Sequence, residues 1–167
     1  MKKYKELLGN IGLLTLSNFG SKILGFLLIP LYTAVLTTEE YGNYDFITVT
    51  ISLLIPILTL NISDAALNLF SILILIILAI LNNIFKIVGI LNSFLFYFII
   101  LYIVTVLYQY FQNVIRGLDK VKILAISGII NSALMMTLNI YFLLILKIGL
   151  SGFFLANIIS NAIATIY

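Results

Sequence analysis

The sequence predicts an all-α, polytopic membrane protein of six transmembrane helices, and three observations carry that prediction. Hydrophobic residues fill 63% of the 167 positions and charged residues 9%, at a mean hydropathy of +1.23, too little polar surface for a soluble domain of this size. The apolar sequence divides into stretches of helical length, separated by short segments that hold Gly, Asn and much of the charge. Basic residues also segregate: Lys2, Lys3, Lys5, Arg116, Lys120 and Lys122 fall on one predicted side, Lys86 and Lys147 on the other. That asymmetry places both termini in the cytoplasm and accounts for the +3 charge without any nucleic-acid partner.

The first helix is expected over 10–36, about 40 Å long against a hydrocarbon core of about 30 Å. It is therefore long enough to span with tilt, and Pro30 can bend it. The leading MKKYK resembles a signal peptide, but the apolar run is too long and lacks a small-x-small cleavage site, so a retained span is expected. Ile11, Thr15, Asn18, Lys22 and Gly25 share one face, with Ser17 and Ser21 on its flank. A lysine at mid-depth facing lipid costs roughly 2.5–3.5 kcal/mol on insertion scales, so Lys22 should face protein or a water-filled cavity. Two readings stand: Lys22 pairs with an acid such as Asp64, or it is a cavity cation that attracts an anionic substrate group.

The turn that follows, Thr37 to Asn43, carries Glu39 and Glu40, and TTEE reads as helix-capping chemistry. A second helix over 45–62 groups Thr48, Ser52, Pro56, Thr59 and Ser63, a small-polar face of the kind that packs helices together. Asp64 closes it at the cytoplasmic interface. The long apolar run after Leu67 fits two antiparallel helices, 69–88 and 92–111, turning at Asn82, Asn83, Lys86, Gly89 and Asn92. Both read as lipid-facing scaffold, with Tyr97, Tyr102, Tyr108 and Tyr110 as interface anchors.

Gln112 to Lys122 reads as a cytoplasmic elbow turning at Gly117, whose Arg116 and Lys120 need no ligand beyond the anionic leaflet. The fifth helix, 123–146, sets Ser127, Asn131, Met135 and Asn139 at successive i+4 positions. The sixth, 150–167, sets Asn157, Ser160, Asn161 and Ala164 on one face. These asparagines either hydrogen-bond the two helices to each other or line a polar cavity with Lys22.

Cysteine and histidine are absent, which removes disulfides, thiolate metal sites, Cys nucleophiles and His-based triads, and no cofactor is expected. The spans also lack a carboxylate pair, so an enzyme is not expected.

NFGSKILGFLLIPLYTAVLTTEEYGNYDF, ISLLIPILTLNISDA, RGLDKVKILAISGIINS and LKIGLSGFFLANIIS together resemble the N-terminal half of a polysaccharide transporter or O-antigen-type flippase. These proteins belong to the multidrug/oligosaccharidyl-lipid/polysaccharide exporter superfamily. The resemblance implies one six-helix lobe, residues 1–167, of a two-lobed transporter in the cytoplasmic membrane. It implies movement of a lipid-linked oligosaccharide, a glycan on polyprenyl pyrophosphate, from inner to outer leaflet for cell-surface polysaccharide synthesis. Its partners are then membrane lipids, the lipid-linked glycan, and a missing C-terminal lobe or a second copy. With that substrate, the cavity reading makes Lys22, Asn18, Ser21, Asp64, Asn131 and Asn157 the candidate binding residues. Two departures are visible. Asn68 stands where relatives carry a basic residue and a charged loop, and the chain stops near the end of the first lobe, which favours a fragment. Two other functions stay open: a truncated, nonfunctional membrane remnant, and a cation-coupled small-molecule exporter, which would want acids in the cavity.

Overall fold

The computed structural model describes residues 2–60, 65–86 and 89–167, and all its regular structure is helical. The first helix, α1 (Lys2–Val35), runs 34 residues, roughly 51 Å, with Pro30 inside it. It starts well before residue 10 because the lysine-rich leader is itself helical. Thr37 stops it and caps the next element: its hydroxyl accepts from the Glu40 N–H at 3.2 Å, and Glu40 Oε2 accepts from the Thr37 N–H at 2.9 Å.

That reciprocal cap starts α2 (Thr38–Leu58) at Thr38 rather than 45. The polar EEYGN run, expected as a turn, is part of the helix's opening turns. Thr37→Ala is expected to lower stability by about 1 kcal/mol, read from thermal unfolding in detergent; an unchanged midpoint would remove the cap from the account.

The third helix, α3 (Ala65–Phe85), ends at Lys86, whose φ of 50° closes the helical path. Next, α4 (Gly89–Gly117) breaks locally at Phe94 and continues through Gln112 to Gly117, past the expected end at 111. The elbow is correspondingly short, with Asp119 at φ 55°. Then α5 (Val121–Ile140) passes into a π-helical turn, Tyr141–Ile145, closed by the Leu146 N–H on the Tyr141 carbonyl. Gly149, at φ 58° and ψ −141°, leads into α6 (Leu150–Ile166).

Four of these helices hold segments long and apolar enough to cross a membrane: 18–35, 38–58, 93–117 and 121–145. The other two hold shorter apolar segments, 68–84 and 150–166, each roughly 25 Å and near the lower limit for a span. The chain is thus a multi-pass membrane protein.

The helices stack in the order α1, α5, α6, α4, α3, and α2 lies mainly against α3 and α4. Apolar stripes at i+4 spacing build the interior: Leu28, Tyr32 and Leu36; Ile47, Ile51 and Ile55; Phe98, Tyr102 and Val106. Phe153 and Phe154 of α6 complete it, Phe153 meeting Tyr32 edge-on with ring centroids 5.3 Å apart. One expectation fails here. Tyr102 is fully buried, so it belongs to the core rather than to an interface belt, and α4 is a central helix. By contrast α3 exposes Leu69, Phe70, Leu73, Ile77 and Ile84, a surface suited to lipid.

Candidate functional site

On α1 the packed face is the Leu28, Tyr32 and Leu36 stripe. Lys22 lies six residues before Leu28, roughly 120° away around the helix, and its side chain is exposed. Thr15, Asn18 and Gly25, from the same predicted stripe, are exposed with it. Ser21 and Asp64 lie outside the described side chains, and with Asp64 goes the expected ion pair.

The structure changes the depth of Lys22. Measured from Leu36, next to the Thr37 cap, Lys22 lies about 21 Å along the helix axis. Within the apolar segment 18–35 it stands four residues, roughly 6 Å or one helical turn, from the end nearer the N-terminus. Lys22 therefore lies near one end of that segment and not at its middle.

Asparagine chemistry is organised elsewhere in the lobe, in two tiers that join α4, α5 and α6. In one tier Gln112 Nε2 donates to Ser127 Oγ at 2.9 Å, and Ser127 Oγ donates to the Ala164 carbonyl at 3.1 Å. In the other, Asn131 Nδ2 donates to Asn161 Oδ1 at 3.0 Å, and Asn161 Nδ2 reaches Thr105 Oγ1 at 3.5 Å. The tiers are one turn apart because Ser127 and Asn131 are i and i+4 on α5. Asn157 Nδ2 donates to the Phe153 carbonyl of its own helix. Asn131 thus pairs α5 with α6 through Asn161, while Asn157 bonds within α6, and among the described residues no hydrogen bond joins either to Lys22.

Apolar contact alone drives association weakly in lipid, so such side-chain bonds help fix which faces meet. A double-mutant cycle on Asn131→Leu and Asn161→Leu is expected to give a coupling of about 0.6 kcal/mol, at most about 1.7, in detergent unfolding. Additive effects would dismiss the pair.

Gln112 and Thr105 were missing from the predicted polar stripes, whereas Asn161 was on one of them. The signal was present: Thr105 and Gln112 are seven apart, two turns on one helix face, but Gln112 had been placed in a loop.

At the opposite end of the bundle the two corners meet. Glu40 Oε1 faces Gly149 across a cleft of about 400 Å³ that Ala34, Val35, Leu143 and Lys147 also line. Beside it Tyr44 packs against Phe153 with centroids 4.0 Å apart. Among the described residues no group of three or more His, Cys, Asp or Glu could hold a metal.

Residues 7–69, which contain all of the described Lys22 stripe, the Thr37 cap and α2, match the family model for "Polysaccharide biosynthesis protein". Over that segment the chain is similar to this family. The match covers both charged features described above, the exposed Lys22 and the Glu40 cap. No curated protein and no solved structure matches the chain. Among the described residues the arrangement offers one clear chemical capacity: a cation exposed on a partly polar face of α1, inside a segment long and apolar enough to cross a membrane.

Proposed function

We propose that this chain is a lobe of a flippase that carries lipid-linked oligosaccharide across the cytoplasmic membrane for cell-surface polysaccharide synthesis. The observation that supports this most is Lys22, a fixed cation exposed on α1 inside a segment long and apolar enough to span a membrane, where a lipid-facing charge is unfavourable. A polyprenyl-pyrophosphate head group is an anion that loses hydration as it crosses. A cation set in its path offsets part of that loss. Asn18 and Ser21 flank Lys22 in sequence and extend the polar face for sugar hydroxyls. Asp64, Asn131 and Asn157 complete the proposed set.

The Lys22 face then addresses water and a second lobe, supplied by a longer polypeptide or by a second copy. Rocking of the two about the cavity gives alternating access. The basic excess near Lys2, Lys3, Lys5, Arg116, Lys120 and Lys122 orients both ends of the lobe to the cytoplasm.

The test is transbilayer movement of a fluorescent polyprenyl-pyrophosphate oligosaccharide in proteoliposomes holding the chain together with its second lobe, followed by a membrane-impermeant quencher. Movement above that in protein-free liposomes is expected; movement equal to that background would refute the transport reading.

A further inference from the structure

Between α2, α3 and α4 lies a cavity of about 160 Å³, lined among others by Thr50, Leu54, Leu75, Ala79, Asn82 and Phe98. Its back wall is interior: Leu75 is 1% exposed, Ala79 6% and Phe98 4%. Its mouth is not, since Leu78 on the same wall is 44% exposed and continues the apolar outer face of α3. The recess therefore opens from the surface that meets lipid.

Its chemistry selects an apolar occupant. The Thr50 hydroxyl is already spent on the Phe46 carbonyl at 2.6 Å. The remaining wall is mostly leucine, alanine and phenylalanine, and an apolar recess of this kind does not retain water. Bilayer hydrocarbon is the medium at its mouth.

Position selects the occupant further. Along α3, Asn82 is about 5 Å from the helix end at Phe85 and Leu75 about 15 Å, so the recess spans the depth of one leaflet of a core about 30 Å thick. One turn beyond Asn82 stands Lys86, exposed at the helix end, at the level of lipid head groups. An acyl chain in the recess would bring its phosphodiester to the end of α3 that carries this cation.

The geometry points to a phospholipid site, with one acyl chain held between α2, α3 and α4 and the phosphate near Lys86. Ala79 makes the site: it is a small side chain on α3 in a wall where Leu75 and Leu78 precede it. The site is separate from the Lys22 stripe and does not depend on transport.

The experiment reconstitutes the full chain in phosphatidylethanolamine and phosphatidylglycerol vesicles that carry a phosphatidylglycerol with a mid-chain photoactivatable diazirine. Labelled peptides are then mapped by mass spectrometry. Labelling is expected to be enriched on the lining residues Thr50, Leu54, Leu75, Ala79, Leu95 and Phe98 over the outward-facing Leu73 and Ile77. Ala79→Leu, which fills the recess, should remove that enrichment and leave Leu73 and Ile77 labelled as before. Uniform labelling of the wild-type chain overturns the site, and needs no variant to be read. Enrichment that survives Ala79→Leu overturns the assignment to this recess. Enrichment by a diazirine-bearing polyprenyl phosphate but not by the phosphatidylglycerol overturns the phospholipid as occupant.

Discussion

Lys22→Gln is expected to reduce glycan translocation by roughly 10- to 100-fold at unchanged expression, the loss of a charge-assisted contact of about 1.5–3 kcal/mol with the crossing anion. Lys22→Arg should keep most of the activity, because the role asks for a fixed charge and not for a transferable proton. Lys22→Leu separates function from architecture by the sign of its effect on stability. If the lysine lies on a wet face and serves the substrate, leucine removes an unfavourable group from a membrane helix, and the lobe unfolds at the same or a higher detergent concentration while transport fails. If instead the lysine is half of a structural ion pair, leucine strands a buried acid and the lobe loses several kcal/mol. Transport unaffected by Lys22→Gln would end the proposed role.

Gly149→Ala should destabilise the lobe by about 2–4 kcal/mol. Two causes add. At φ 58° and ψ −141° the backbone is in a region essentially closed to residues with a Cβ. A Cβ there would also stand 2.7 Å from Glu40 Oε1. The carboxylate can swing aside, but only by releasing its bonds to the Thr37 N–H and hydroxyl, which undoes the cap of α2. The damage should therefore reach both corners. Glu40→Ala made together with Gly149→Ala should recover only the steric part, leaving the conformational strain. Thermal unfolding of the four proteins in detergent checks this, and a Gly149→Ala midpoint equal to wild type would contradict it.

What could be read in advance follows from how local each cause is. Hydropathy is local, so the six helices and their order were legible. The start of α2 was partly legible: Thr37 to Glu40 read as capping chemistry, but polarity argued for a turn up to Asn43 and put the helix at 45 rather than 38. Intramolecular faces are a different matter. Periodicity showed that Asn131 and Asn161 each lie on a polar stripe, yet a wheel drawn for one helix does not say which neighbour it meets. Tyr102 shows the same limit, because a tyrosine in an apolar span is equally at home at an interface or in a core until packing decides. Lys22 was legible as an anomaly from its cost alone. Its depth was not, because that depends on where α1 begins and on the cap at Thr37.

The wide turn at Tyr141–Ile145 has a consequence for the order of side chains around the fifth helix. Ser127, Asn131, Met135, Asn139 and Leu143 follow one another at i+4, and Asn139 and Leu143 are fully buried. The next member of that series is Lys147. Continued as a regular α-helix, the stripe would carry an ammonium group inward behind Leu143. The turn takes up an extra residue, with the Leu146 N–H reaching back five positions to Tyr141 and the Ile148 N–H six positions to Phe142. Lys147 then adopts φ 51° and is exposed. The widened turn thus acts as a phase correction, shifting the helical count so that a lysine due to arrive inside the lobe emerges at its rim.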